Sequence, residues 1–175
     1  MPELTLSDRQ SEDLRKRHPY WPDFAVILDL AQRAGWEQAN RHYLLTERDR
    51  AAAAMRDLIE AVGIASPVPS PLALDLIELA VRTFTPDGKF TGVIQRDGPS
   101  RIRIVNCPCP GFVRMEEHGW LGVTACSSWH RRHGWYDALG VTARDIIEGD
   151  MGLGDPACVS IIEVTGSRAV ADTPV

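Results

Sequence analysis

The chain changes its hydrophobic rhythm once, at Thr85-Pro86-Asp87-Gly88, and that change constrains the fold more than any other feature. Before it, apolar residues recur every three or four positions; after it, they alternate. Phe24 to Ala34 has apolar residues at 24, 27, 28, 30 and 31 and stops at Gly35, which predicts a helix. Trp36 to Tyr43 reads as a second short helical piece. Thr46-Glu47-Arg48-Asp49 resembles a capping box and precedes Ala51 to Val62, where Met55, Leu58, Ile59 and Val62 share one face and Gly63 follows. Ser66 to Ser70 is a connector. Ser70, with Pro71 after it, caps a further helix running through Leu72, Leu76 and Leu79 to about Phe84.

Beyond the switch, Phe90 to Gln95 and Arg101 to Val105 read as strands joined by the turn Asp97-Gly98-Pro99-Ser100. The alternation Arg101-Ile102-Arg103-Ile104 suits a half-buried antiparallel strand. Gly111 to His118 and Cys126 to Leu139 read as helices, and Ala143 to Glu148 and Cys158 to Val164 as strands. The expected class is therefore α+β: N-terminal helices packed with a small antiparallel sheet of about four strands that carries a helical crossover. Residues 1–20 are expected to be a flexible or partly helical arm, residues 21–166 a single α+β domain, and residues 167–175 a frayed tail.

Length and composition bound the function. At 175 residues, 44% apolar and 25% charged, the chain can bury one good core. A net charge of -5 argues against a nucleic-acid partner, since phosphate binding needs a basic face. No run approaches the ~18 apolar residues of a membrane span, and the first residues have no secretory pattern. The expectation is a cytoplasmic protein with reduced thiols, a small-molecule substrate, no nucleic-acid or membrane partner, and exposed helix faces that leave a homodimer open.

All four cysteines and three of the five histidines lie between Cys107 and Cys158. Thiolate and imidazole serve as nucleophile, general base and soft metal ligand near neutral pH. Cys126 and His130 stand four apart on an expected helix, a spacing that would put them on one face. A helix N-terminus there would lower the thiol pKa. The candidate catalytic residues are Cys126 as nucleophile, His130 as base, and Cys107. Asn106, Trp129, His133, Asp155 and Cys158 are candidates for lining a substrate site. The alternative is that the cysteines hold a metal or pack as small apolar residues.

The segment Glu148-Gly-Asp-Met-Gly-Leu-Gly154-Asp155-Pro156-Ala-Cys158 resembles the closing signature of 4-vinyl reductase-type small-molecule-binding domains. That resemblance implies zinc held by Cys126, Glu148 and Cys158, with Met151 standing where another cysteine is expected. Tyr20 to about Leu58, with Asn106-Cys107-Pro108, Cys126 and Cys158, resembles the L-2-amino-thiazoline-4-carboxylic acid hydrolase-like family. That second resemblance implies a hydrolase opening a C–N bond of a small, cyclic metabolite by cysteine chemistry. The expected function is such an enzyme, with no cofactor. The alternative is a non-catalytic small-molecule-binding module whose cysteines hold zinc or pack.

Overall fold

In the computed structural model, residues 4–65, 67–121 and 126–167 are described. Six helices and a four-stranded antiparallel sheet are found among them, so the α+β expectation holds. The helices are α1 (Asp8–Arg17), α2 (Phe24–Ala34), α3 (Trp36–Ala61), α4 (Ser70–Thr83), α5 (Pro110–Glu117) and α6 (Ser128–Leu139). The strands are β1 (Val93–Arg96), β2 (Arg101–Asn106), β3 (Val141–Gly149) and β4 (Cys158–Ser167), in the spatial order β1-β2-β4-β3. The crossover carrying α5 and α6 leads from β2 to β3 at the far edge, and β4 returns between them. Most of the expected tail, residues 168–175, lies outside the described residues.

Local chemistry explains most element ends. Ser7 and Gln10 form a reciprocal capping box at the start of α1, satisfying two orphan N–H groups. Leu14 on that helix is fully buried, so this part of the expected arm joins the core. The two helical pieces expected between Trp36 and Val62 are one helix, α3. No glycine or proline interrupts residues 36–61, and Glu47, within the expected cap, is buried and paired with Arg50 and Arg131 instead. Gly140 closes α6 in the left-handed conformation, which glycine adopts without steric cost.

The sheet has two chemically different faces. Register pairs Ile102 with Ile162, Ile104 with Ser160, and Asn106 with Cys158, so these residues share the face covered by helices. Ile102, Ile104, Ile162 and Val164 pack there with Leu74, Ile77, Phe84, Trp135, Tyr136 and Leu139. The opposite face carries Arg101, Arg103 and Glu163. Helix α6 lies against α3, and Gly134 permits the contact: a Cβ there would stand 2.1 Å from the Arg48 carbonyl oxygen. A second apolar cluster, Ile27, Ala39 and Trp120 with Phe24, Trp36 and Met115, joins α2 and α3 to the end of α5.

Candidate active site

A cavity of about 80 Å³ opens between the covered face of the sheet and the ends of three helices. Strand β2 contributes Ile104 and Asn106, α4 contributes Val81 and Phe84, and α6 contributes Ser128, Arg131, Arg132 and Trp135. Cys109 and Pro110 close one side at the start of α5, and Tyr20 closes another. Tyr20, Phe84 and Thr85 also line a wider recess of about 320 Å³ bordered by Glu12, Arg15, Lys16 and His18.

Cys109 is the chemically distinctive group on this wall. It is the N-cap residue of α5, with Pro110 at the first helical position, where proline's missing N–H costs nothing. The neighbouring Cys158 thiol lowers its pKa most, burial opposes ionisation, and the backbone N–H groups of Phe112 and Gly111 in the first turn favour the anion. The pKa is lowered from 9.0 to about 6, which favours the thiolate. Donation to Cys109 and burial push the Cys158 thiol up, which favours its keeping the proton. The backbone N–H of Cys109 is held 3.3 Å from the Met151 thioether. Burial likewise raises the phenol of Tyr20, against the pull of Arg131.

Two arginines reach the cavity, and both are already partnered. Arg132, itself buried, donates to Asp145 at 2.5 Å, and the Tyr136 hydroxyl donates to the other oxygen of that carboxylate at 3.0 Å. Arg131 donates to the Tyr20 carbonyl at 2.9 Å, lies over the Tyr20 ring, and stands 3.7 Å from Glu47. The cavity is therefore apolar on one side, with its cations balanced on the other.

The residues singled out from sequence fall in several places. Cys126 is exposed and precedes α6 instead of sitting on it; its thiol donates to the Ser128 hydroxyl at 3.3 Å. The helical spacing argument for Cys126 and His130 therefore does not apply. His130 is lowered by burial and by the charges of His133 and Arg48, which places it toward α3. Cys107 is exposed and donates to the Pro156 carbonyl at 3.4 Å. Asn106, on the cavity wall, pairs with Cys158 across β2 and β4. Trp129 is about half exposed and meets the His130 and His133 rings edge-on. His133 stands 3.8 Å from Asp145, and Asp155 accepts the Asp150 N–H in the turn before β4.

The zinc set suggested by resemblance does not converge. Glu148 pairs with Arg103 at 3.1 Å on the open face of the sheet, whereas Cys158 shares the covered face with Asn106. Among the described residues, no group of three His, Cys, Asp or Glu side chains is placed to hold an ion. These residues do not fit a shared zinc ion.

Sequence reasoning gave Cys109 no role, and it did not single out Tyr20. One signal was available for Cys109: cysteine directly before a proline that opens a helix is an N-cap position. The contact with Cys158, 49 positions later in the chain, has no local signature.

No family model matches the chain, and no curated protein matches it significantly. Among described residues, no helix is long and apolar enough to cross a membrane. Among solved structures, the chain is similar to a trafficking protein particle complex subunit 3 from Naegleria fowleri, crystallised covalently bound to palmitic acid. The TM-score is 0.51 at 8% identity, covering 92% of this chain and 98% of that one. At that identity the likeness is one of fold alone.

Proposed function

We propose that this chain is a cysteine-dependent hydrolase that cleaves a C–N bond of a compact, uncharged metabolite, with Cys109 as its nucleophile. One observation carries the reading: Cys109 stands at a helix N-terminus on the wall of a small cavity, where its Cys158 neighbour and the first backbone N–H groups of α5 lower its pKa. A lowered thiol pKa beside a cavity is the environment in which cysteine attacks carbon. Cys126, the nucleophile expected from sequence, is exposed and bonded to a serine hydroxyl, and the geometry favours Cys109 over it.

The chemistry runs in two stages. The Cys109 sulfur attacks the carbon of a C=O or C=N group, a C–S bond forms, and the electron pair moves to the oxygen or nitrogen. Collapse of that adduct breaks the C–N bond, and the departing nitrogen takes the Cys158 proton. That proton is released at the right moment, because acylation removes the negative charge that had held it. Water then attacks the thioester-like carbon and returns a proton to Cys158, and the C–S bond breaks to restore the Cys109 thiolate. The cavity's volume and its balanced cations favour a small neutral substrate.

The fold likeness to a subunit crystallised with a covalently bound acyl group favours a second reading, in which the thiol holds a ligand without turning it over. Incubation with small neutral cyclic amides and thiazolines separates the two by intact mass and product release. The hydrolase predicts repeated turnover, a transient adduct on Cys109, loss of both in Cys109→Ala and retention in Cys126→Ala. One stable equivalent on Cys109 without product supports the holding role. Turnover that survives Cys109→Ala in a folded protein overturns both readings.

A further inference from the structure

Strand β3 ends the sheet on the side away from β1, since the spatial order is β1-β2-β4-β3. β4 pairs with one side of its backbone, and among the described residues no strand pairs with the other. An unpaired edge is a template for another strand, and short length, lysine or proline normally blunts it. The opposite edge follows that rule, because β1 has only four residues. β3 has nine, Val141–Gly149, with no lysine or proline among them. Register shifts fall between Thr142 and Ala143 and between Ile147 and Gly149, so residues 143–147 form the regular part of this edge. Arg144, Ile147 and Glu148 are exposed, Ile147 by 53%.

We infer that the β3 edge pairs with the same edge of a second copy of this chain, antiparallel about a two-fold axis at Ile146. Charge selects both the occupant and the register. Two copies of one strand about a two-fold axis set the axial residue opposite itself and its flanking residues opposite one another. Centring on Arg144 or Asp145 sets like charges face to face, which is destabilising. Centring on Ile147 puts the register shift at the axis and sets Ile146 opposite Glu148. Centring on Ile146 sets Arg144 of each copy opposite Glu148 of the other, so the attractive pair occurs twice. The Glu148 side chain is 43% exposed beside Arg103, which leaves its carboxylate room for a second guanidinium. Ile147 then faces Asp145, whose carboxylate is already bonded to Arg132 and the Tyr136 hydroxyl and loses no partner. The two four-stranded sheets become continuous. So short a contact belongs to the weak, concentration-dependent class of interface.

Sedimentation velocity over a concentration series reads the dimer, in a Cys107→Ser, Cys126→Ser background that removes the exposed thiols. Arg144→Glu and Glu148→Arg should each weaken association by roughly 10-fold or more, because each turns two attractive cross-strand pairs into repulsive ones. The double exchange should restore it. Both residues are exposed, and circular dichroism checks that the variants keep the fold. The register has its own readout. Ile146→Cys in oxidised glutathione should cross-link to its own copy, since directly opposed Cα atoms lie about 4.5–5.5 Å apart, within reach of a disulfide. Arg144→Cys should not. A monomer at millimolar concentration overturns the inference. So does a dimer that ignores both charge reversals, or one that cross-links at Arg144→Cys and not at Ile146→Cys. A monomer whose outward β3 amides resist hydrogen exchange identifies a different occupant of the edge and overturns it as well.

Discussion

Replacing Gly134 with alanine puts two opposing effects in competition at the α3–α6 contact. Alanine is the better helix former, by roughly 1 kcal/mol in a helix interior, so propensity alone predicts a more stable protein. Packing predicts the reverse. The added methyl would stand 2.1 Å from the Arg48 carbonyl oxygen and 2.9 Å from the Ala52 nitrogen, against about 3.5 Å for an ordinary contact. Both obstacles are backbone atoms, so no side chain can swing aside, and α6 must move off α3 by more than ~1 Å. Overpacking of this kind costs about 1–3 kcal/mol and occasionally more. Separation also loosens the core that buried Ala51 on α3 shares with Trp135 and Tyr136 on α6. The net expectation is a loss of about 2 kcal/mol. For a chain of this size that is a fall in Tm of roughly 4–8 °C, measured by calorimetry with chemical denaturation alongside. An unchanged or higher Tm would mean that propensity wins, which refutes the close backbone approach and the positioning of the cavity wall built on it.

Three further outcomes follow from named contacts. Leu14→Ala should cost about 2–5 kcal/mol, because Leu14 is fully buried; a change within experimental error in urea unfolding would show that α1 does not dock. Asp145→Asn leaves the buried Arg132 charge unpaired and should destabilise by about 3 kcal/mol or more, with part of the loss recovered when Arg132→Met is added. No recovery in the double variant would sink the pairing. The thiolate also predicts a pH slope. In the folded chain Cys109 ionises near 6, below its ordinary 9.0, so its contribution is complete above pH 9 and is lost as pH falls through 6. Cys158, whose thiol is raised, opposes this only above pH 9. Wild-type protein should therefore gain stability over Cys109→Ser between pH 6 and 8.5, and parallel curves for the two would contradict the shift.

Much of the fold was legible because local patterns and tertiary packing agree. Alternation at Arg101 to Ile104 marks β2, and the change at Pro86 separates helices from sheet. The single helix α3 was read as two because Thr46 and Asp49 look like a cap, while the buried ion pairs of Glu47 outweigh that signal. The site was less legible for two physical reasons. Helix α6 begins at Ser128, so two residues of error at its start removed the spacing that joined Cys126 to His130. The pairing that creates the Cys109 thiolate depends on β4 returning between β2 and β3, which sets Cys158 beside the end of β2. Sheet register, which a single sequence does not reveal, likewise sends Glu148 to the face opposite Cys158.

The most direct test of the Cys109 assignment is the pH dependence of its alkylation by iodoacetamide, measured by peptide mass spectrometry with Cys107→Ser and Cys126→Ser removing the two exposed thiols. A thiolate held by Cys158 and the start of α5 predicts a rate that rises with a midpoint near pH 6 and is already at its plateau by neutral pH. A midpoint at the ordinary thiol value of about 8.5, or protection of Cys109 at every pH, would contradict it.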